Sequence, residues 1–215
     1  MALSLNADGA AHLAGAAAPF LDALLALAAR QPAGRAGIRL HGVPGLAELL
    51  GPDALGALAP GMRPVRAILF DKSPGANWAL GWHQDRTIAV RARREVPGFG
   101  PWSRKRGLLH VEPPFALIEG MRTMRVHLDP VPEDNAPLLI APGSHRLGRI
   151  AEGDLAGVVE RCGTAACLAR PGDVWLYATP IVHASAASVG MRHRRVLQLD
   201  YSAAALPGGL DWLGV

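Results

Sequence analysis

The sequence is poor in cysteine, lysine and aromatic residues. The shortages of cysteine and lysine count against particular classes of site. Its two cysteines, Cys162 and Cys167, form no CxxC metal motif and are too few for a disulfide framework, so we expect a reducing, cytoplasmic setting. Lys72 and Lys105 are the only lysines, and the remaining positive charge is arginine. This composition gives little support to a non-specific nucleic-acid surface.

Long uninterrupted hydrophobic runs are also missing. The best candidate, AHLAGAAAPFLDALLALAAR, is broken by Pro19 and Asp22, so we do not expect it to span a bilayer. No charged region precedes its apolar stretch, which argues against a signal peptide. Four leucines instead form a stripe at helical spacing, typical of an amphipathic helix packed on a domain: Leu21, Leu24, Leu25 and Leu27.

Length and composition indicate a globular chain with a sizeable core. Half of the 215 residues are hydrophobic and 19% are charged, which excludes a disordered protein. We expect a single domain spanning 1–215. The formal net charge of +4 suits an anionic small-molecule substrate at least as well as nucleic acid. The oligomeric state is not readable from the sequence.

The chain changes character near residue 63. Residues 1–62 are rich in alanine and leucine at helical spacing and predict an α-helical N-terminal region. Residues 63–203 contain short apolar runs separated by turn residues, which predicts a mainly β core built as an antiparallel sandwich or barrel. The predicted strands are VRAILF, DRTIAV, FALIEG, MRTMRVHLD, APLLIAP, DVWLYA and RRVLQLDYS.

One insertion, at about 91–107, separates two of these predicted strands. Its sequence, RARREVPGFGPWSRKRG, is rich in Arg, Gly and Pro and predicts a loop. Its positive charges either attract an anionic substrate by electrostatic steering or simply form a solvated loop. They are Arg91, Arg93, Arg94, Arg104, Lys105 and Arg106.

The segment GWHQDRTIAV places an imidazole and a carboxylate two residues apart. On a strand, His83 and Asp85 would project from the same face. They could bind a metal there, or form an ordinary surface or buried hydrogen-bonded pair. Trp82 would then pack in the core, and Arg86 would have a structural role.

A third metal ligand must come from elsewhere, and His183 is the best candidate. It follows a predicted strand in RPGDVWLYATPIVHASAAS, and the small residues after it leave room for a ligand. The other histidines have ordinary interpretations in the N-terminal region, in predicted strands, after a turn or among arginines. They are His12, His41, His110, His127, His145 and His193.

Two histidines and one carboxylate can occupy one face of an octahedron and leave three positions open. That is the arrangement of non-haem Fe(II) oxygenases. A closed zinc site would need four protein ligands, often cysteines, and the sequence has no cysteine cluster.

Three motifs in this order resemble the phytanoyl-CoA dioxygenase family. WHQD is followed about a hundred residues later by HAS, with Arg194 eleven residues beyond His183, and EDNAPLLIAPGSHRLG is similar to a family segment. Ala136 departs from the pattern, because many members have glycine there; we expect the turn to survive. The resemblance spans roughly Val65 to Tyr201 and implies a double-stranded β-helix (jelly-roll, cupin-like) core.

The resemblance also implies cofactors and their ligands. His83, Asp85 and His183 would bind Fe(II), and Arg194 would pair with the distal carboxylate of 2-oxoglutarate, with Ser185 as a hydrogen-bond donor. Lys72 resembles a residue near the cosubstrate in related hydroxylases, or is a surface lysine. Arg192 competes with Arg194, because the two would share a strand face. Asn77 and Trp78, in the approach loop, are candidate substrate contacts.

The implied activity is that of a 2-oxoglutarate-dependent dioxygenase. It would use dioxygen to hydroxylate a small molecule while 2-oxoglutarate is decarboxylated to succinate. Related halogenases replace the metal-binding carboxylate with a small residue, whereas Asp85 is present here. Two alternatives are a cupin-like metal enzyme that does not use 2-oxoglutarate, and a non-catalytic β-barrel binding protein. The substrate is not readable from the sequence.

Overall fold

The computed structural model describes residues 2–32, 35, 37–73, 75–188 and 193–215. Short strands dominate the part of the chain from residue 63 onward, as predicted. The strands are β1 (Ala10–Leu13), β2 (Ile38–Leu40), β3 (Arg63–Lys72), β4 (Leu80–His83), β5 (Ile88–Ala89), β6 (Trp102–Lys105), β7 (Leu108–Val111), β8 (Arg122–His127), β9 (Leu138–Ile140), β10 (Ala165–Cys167), β11 (Val174–Ala178), β12 (His183–Ser185) and β13 (Arg194–Ser202).

The α-helices of the described chain are short, with four to nine residues each. They are α1 (Leu5–Asp8), α2 (Leu21–Ala29), α3 (Leu46–Leu50), α4 (Phe115–Glu119) and α5 (Leu155–Cys162). Helix α2 is the amphipathic helix that the leucine stripe predicts, and it buries Leu24 and Leu27. In the described part of the chain, no helix has the length and apolar character that a bilayer span requires.

The largest sheet has six antiparallel strands in the order β1-β11-β8-β13-β3-β2. Residues alternate between its two faces. In β13, Leu197, Leu199 and Tyr201 join the main hydrophobic core, which also contains the buried side of α2. Arg194 and Gln198, on the other face, line an internal cavity.

A second sheet covers that cavity. Its four strands have the order β10-β9-β12-β4. Leu138 and Ile140 from this sheet pack with Trp175 and Tyr177 from the large sheet in one buried cluster. Two facing antiparallel sheets that enclose a cavity between them form the double-stranded β-helix that the sequence resemblance implies.

The N-terminal region is less helical than its composition predicts. Residues Ala10–Leu13 and Ile38–Leu40 are strands, and they form the two edges of the large sheet. His12 pairs with Trp175 across the β1–β11 ladder and stacks on its ring at 4.9 Å. These two segments therefore form edge strands, because pairing with β11 and with β3 outweighs the weak helical preference of their residues.

Three further sequence predictions of local structure are wrong in whole or in part. The segment FALIEG, predicted as a strand, contains helix α4, because an apolar run as short as FALI does not distinguish a helix from a strand. The insertion at 91–107 is not a loop throughout, because its residues Trp102–Lys105 form β6 and pair with β7. Strand β7 also pairs with β5, the only part of DRTIAV that is a strand, and completes a three-stranded sheet.

Candidate metal centre

His83, Asp85 and His183 converge in the lining of the cavity. One ligand atom from each lies within 4.8 Å of the other two. His183 is the register partner of His83 in the β12–β4 ladder. Strand β4 ends at His83, so Asp85 lies beyond it rather than on the strand that the sequence predicts. Ligand atoms this close can share one ion after small side-chain movements, because metal–ligand bonds are about 2 Å long.

Both imidazoles are held with one nitrogen toward the backbone. The Nδ1 atom of His83 lies 2.8 Å from the carbonyl oxygen of Gly81, and that of His183 lies 2.9 Å from the carbonyl oxygen of Ile181. If each Nδ1 donates its proton there, Nε2 keeps a lone pair for a metal. Burial, together with the neighbouring His83, lowers the pKa of His183 to about 4, so this ring is neutral at pH 7.

The carboxylate of Asp85 is partly satisfied by Arg66. Its Oδ2 atom is buried without a hydrogen bond and lies 3.6 Å from the Arg66 guanidinium. Burial opposes ionisation, but the charge of Arg66 and the two nearby histidines outweigh it and lower the pKa of Asp85. Arg66 also donates to Asp200, whose other oxygen accepts a hydrogen bond from Thr123. An ionised carboxylate beside two imidazoles, with an oxygen that accepts no hydrogen bond, fits a divalent cation.

Gln84 fixes the turn between the two proposed ligands, although the sequence reasoning gave it no role. Its amide nitrogen donates to the carbonyl oxygens of Gly148, at 3.0 Å, and Pro180, at 2.8 Å. Its amide oxygen accepts from the backbone N–H of Ile150 at 2.9 Å. The side chain is buried, so this bonding ties the WHQD segment to the chain that leads into His183.

A cavity of about 230 Å³ opens beside these side chains. Alternate residues of β3 face it, so the strand contributes Arg66, Ile68, Phe70 and Lys72. Six of the lining residues are cationic, whereas Asp85 is the one acidic residue in the described lining. The cations are Arg39, Arg66, Lys72, Lys105, Arg125 and Arg194. A cavity with this charge is suited to anionic ligands.

Lys72, Ser185 and Arg194 form one buried cluster in the cavity. Lys72 and Arg194 are register partners in the β3–β13 ladder. The ammonium of Lys72 donates to Ser185 Oγ at 3.0 Å, and the Arg194 guanidinium lies 3.5 Å from the same oxygen. Arg194 also donates to the carbonyl of Ala136, a residue with a positive φ of 48°.

The positive charges in this cluster are not balanced by acids. Neither Lys72 nor Arg194 forms a salt bridge with a described residue. Burial, with the charges of Arg194 and Arg125, lowers the pKa of Lys72 to about 7, and burial with Arg125 lowers that of Arg194 to about 9. Buried cations without a counter-charge are costly, so the cluster favours the binding of an anion.

Arg125 is a cavity residue that the sequence reasoning missed. Its guanidinium donates to Gln198 at 3.0 Å and lies over the ring of Phe70 at 5.3 Å. The alternation in MRTMRVHLD was the available signal. Met124 and Val126 face the main core, so Arg125 between them must face the opposite side of β8.

The remaining predicted residues fall around the cavity or outside it. Trp78 lines the cavity with its ring 4.9 Å from Lys72 Nζ, whereas Asn77 bonds to the backbone of Ser188. Trp82 packs against a separate core cluster, and Arg86 donates to the carbonyl of Ile150. Arg192 lies outside the residues that the structure describes.

Comparison with protein families identifies one match. Residues 44–196 match the phytanoyl-CoA dioxygenase (PhyH) model, which is well over half of the chain. No curated protein sequence is similar enough to count as a match.

Solved structures share the fold at low sequence identity. EctD from S. alaskensis, solved with 2-oxoglutarate and 5-hydroxyectoine, has a TM-score of 0.64 and 21% identity, covering 98% of this chain and 77% of that one. SnoK, a non-heme alpha-ketoglutarate-dependent carbocyclase from nogalamycin biosynthesis, has a TM-score of 0.64 and 17% identity, covering 95% and 86%. HygX from Streptomyces hygroscopicus, with nickel and 2-oxoglutarate bound, has a TM-score of 0.59 and 14% identity, covering 92% and 84%.

Proposed function

Because the chain belongs to the phytanoyl-CoA dioxygenase family, whose members are iron(II)- and 2-oxoglutarate-dependent oxygenases, we propose that it hydroxylates a small molecule. His83, Asp85 and His183 would hold the ferrous ion. Two imidazoles and a carboxylate leave positions open for a cosubstrate and dioxygen. When bound, the ferrous ion would activate dioxygen, which is the oxidant; 2-oxoglutarate would give two electrons and take up one oxygen atom as it is decarboxylated to succinate, and the other oxygen atom would oxidise the substrate.

The buried cluster of Lys72, Ser185 and Arg194 would bind the distal carboxylate of 2-oxoglutarate. A guanidinium recognises a carboxylate through a planar pair of N–H donors, and an ammonium adds a point charge. Ser185 Oγ already lies between the two cations, at 3.0 Å from Lys72 and 3.5 Å from Arg194. This uncompensated pair of cations beside the three proposed ligands is the observation that carries the proposal.

The other cavity residues would orient the reactants and exclude water. Phe70, Trp78 and Leu138 supply apolar walls, and Arg125 adds a third cation near the proposed carboxylate site. The positive lining favours a substrate that carries negative charge. We propose a reducing, cytoplasmic location, because two cysteines are too few for a disulfide framework.

The two alternatives explain fewer of the observations. A cupin-like metal enzyme without 2-oxoglutarate has no use for Arg194 and Lys72 beside the metal centre. A non-catalytic barrel has no use for three side chains whose ligand atoms converge within 4.8 Å. Asp85 favours hydroxylation over halogenation, while SnoK, described as a carbocyclase, shows that the fold also supports other oxidations.

The proposal is tested by product analysis. Protein reconstituted with Fe(II) and 2-oxoglutarate should form succinate, and a metabolite screen by substrate-stimulated succinate release should identify the substrate. The product should contain one oxygen atom derived from isotopically labelled dioxygen. Succinate formation with a cyclised or epimerised product would exclude hydroxylation but keep the oxygenase class. Absence of succinate from metal-loaded protein, with every compound screened, would overturn both.

A further inference from the structure

Arg39 and Lys105 form a second group of cations at a different part of the cavity wall. Arg39 lies on the edge strand β2, and Lys105 is the last residue of β6 in the basic insertion. Both line the cavity. Lys105 Nζ donates to Thr87 Oγ1 at 2.8 Å, which places it near Asp85, two residues earlier in the chain.

These two cations are separate from the proposed 2-oxoglutarate site. Arg39 pairs with Ile68, which is four residues before Lys72 on β3. Four residues of a strand span about 13 Å, so the backbones of Arg39 and Lys72 are about that far apart in the direction of β3. Arg194, the register partner of Lys72, has the same offset and also lies two strands away from Arg39, which adds about 10 Å across the sheet. A five-carbon cosubstrate whose distal carboxylate is held at Lys72 and Arg194 therefore leaves Arg39 without an anion.

Acidic groups in the described chain compensate this second pair only weakly: Asp85 is close enough to favour the charged form of Lys105, but it forms no salt bridge with it. Neither Arg39 nor Lys105 forms a salt bridge with a described residue. The acids nearby, Asp85 and Asp200, are both held by Arg66. The Nε atom of Arg39 is buried without a hydrogen-bond partner. Burial is the largest cause of a lowered pKa at both Arg39 and Lys105, as expected for cations whose counter-ion is a ligand.

The β6–β7 hairpin sets the position of Lys105. Arg106 and Gly107 both have positive φ, 51° and 83°, which allows the two strands to join through two residues. This turn also brings the charge of Arg106 near Arg39. Arg91, Arg93 and Arg104, from the same basic insertion, line a different groove. Lys105 is therefore the residue of the insertion whose side chain lines the cavity.

We propose that Arg39 and Lys105 form an anion subsite that binds a carboxylate or phosphate group of the substrate. The inference rests on the proposed function and names the substrate class, a small acid or phosphate ester. The anionic group would lie away from 2-oxoglutarate, and the carbon to be oxidised would lie between it and the metal centre. The fork of Arg39 and the point charge of Lys105 recognise both kinds of anion.

Anion binding to cosubstrate-loaded protein tests this subsite directly. Protein carrying nickel(II) and saturating 2-oxoglutarate is titrated with inorganic phosphate, and in a second arm with acetate, by calorimetry. Wild type should bind at least one of them, and the one bound more tightly identifies the preferred anion. The double variant R39M/K105M should weaken that binding at least tenfold, with a much smaller change in 2-oxoglutarate affinity. Arg104→Met is the matched control from the same hairpin and should bind as wild type.

Three results would overturn the subsite. The first is that neither phosphate nor acetate binds to wild type once 2-oxoglutarate is present. The second is that the double variant binds the anion as tightly as wild type does. The third is that the double variant loses affinity for 2-oxoglutarate and for the anion to the same extent. The single variants R39K and K105R, which keep the charge, should retain at least part of the binding, so loss through misfolding is distinguishable. Because anion binding is measured without turnover, failure of the oxygenase proposal is separate, and shows as absence of succinate formation.

Discussion

His83 and His183 face each other as register partners across the antiparallel strands β4 and β12, with their ring centroids 4.2 Å apart. The pairing brings together two residues that are a hundred positions apart in the sequence. Because side chains alternate along a strand, a one-residue slip of β12 would turn His183 to the other face of the sheet. The candidate metal centre thus depends on strand register, and the residues that fix this register become targets for mutation.

Gln84→Leu should destabilise the fold and misplace the neighbouring ligands. The substitution removes three hydrogen bonds from a buried site, and leaves two carbonyl oxygens and one N–H without that partner. We expect a loss of about 2–4 kcal/mol in the free energy of unfolding, measured by urea denaturation, and weaker metal binding under folding conditions. A variant with wild-type stability and metal affinity would show that the amide does not hold this turn.

Asp200→Asn should weaken metal binding without touching a proposed ligand. With Asp200 neutral, Arg66 has Asp85 as its remaining acidic partner and should compete with the metal for that carboxylate. Changes to residues that orient ligands typically cost about 10–100-fold in metal affinity. Competition with a chelating dye measures this effect. The control is Asp129→Asn, which breaks the ion pair with Arg195 at a different site and should leave metal affinity unchanged.

Arg194→Met should abolish tight binding of 2-oxoglutarate. Removing one partner of a buried charge pair costs about 2–5 kcal/mol, so we expect the Kd to rise by roughly a hundredfold. Calorimetry on metal-loaded protein measures it. Arg195→Met is the matched control, because Arg195 is the next residue and pairs with Asp129. Equal losses in the two variants would contradict the assignment of Arg194.

Affinity for 2-oxoglutarate should fall as pH rises above neutrality. The pKa of Lys72 is lowered to about 7 in the free protein, and a bound carboxylate favours the ammonium form. Binding above pH 7 therefore takes up a proton, and the Kd should rise by up to about tenfold per pH unit. Calorimetry in buffers with different ionisation enthalpies measures the proton uptake. Lys72→Met should bind more weakly at pH 6 and lose the dependence; a dependence that persists would exclude Lys72 as its source.

The convergence of His83, Asp85 and His183 could be predicted from the sequence because their motifs are local and distinctive. WHQD contains a histidine and an aspartate two residues apart, HAS contains the second histidine, and Arg194 follows that histidine by eleven residues. Strands β3, β8, β11 and β13 of the large sheet could likewise be predicted, because their sequences are alternating or continuous apolar runs. Short segments could not: FALIEG contains a helix, and part of the insertion at 91–107 is a strand.

Residues whose role depends on distant partners could not be predicted. Arg39 faces the cavity because an N-terminal strand adds to the edge of the large sheet, a pairing that no local pattern indicates. Arg66 acquires its role from Asp85 and Asp200, which lie far along the chain. Gln84 bonds to three backbone groups that only the folded chain brings together.

The most direct test of the account is the stoichiometry of ferrous ion bound under anaerobic equilibrium dialysis, for wild type and for the separate variants His83→Ala, Asp85→Ala and His183→Ala. Wild type should bind one ion per chain, and each variant should bind at least a hundredfold more weakly while remaining folded. Undiminished binding by a folded variant, or no binding by wild type, would contradict the proposal that these three side chains hold one iron.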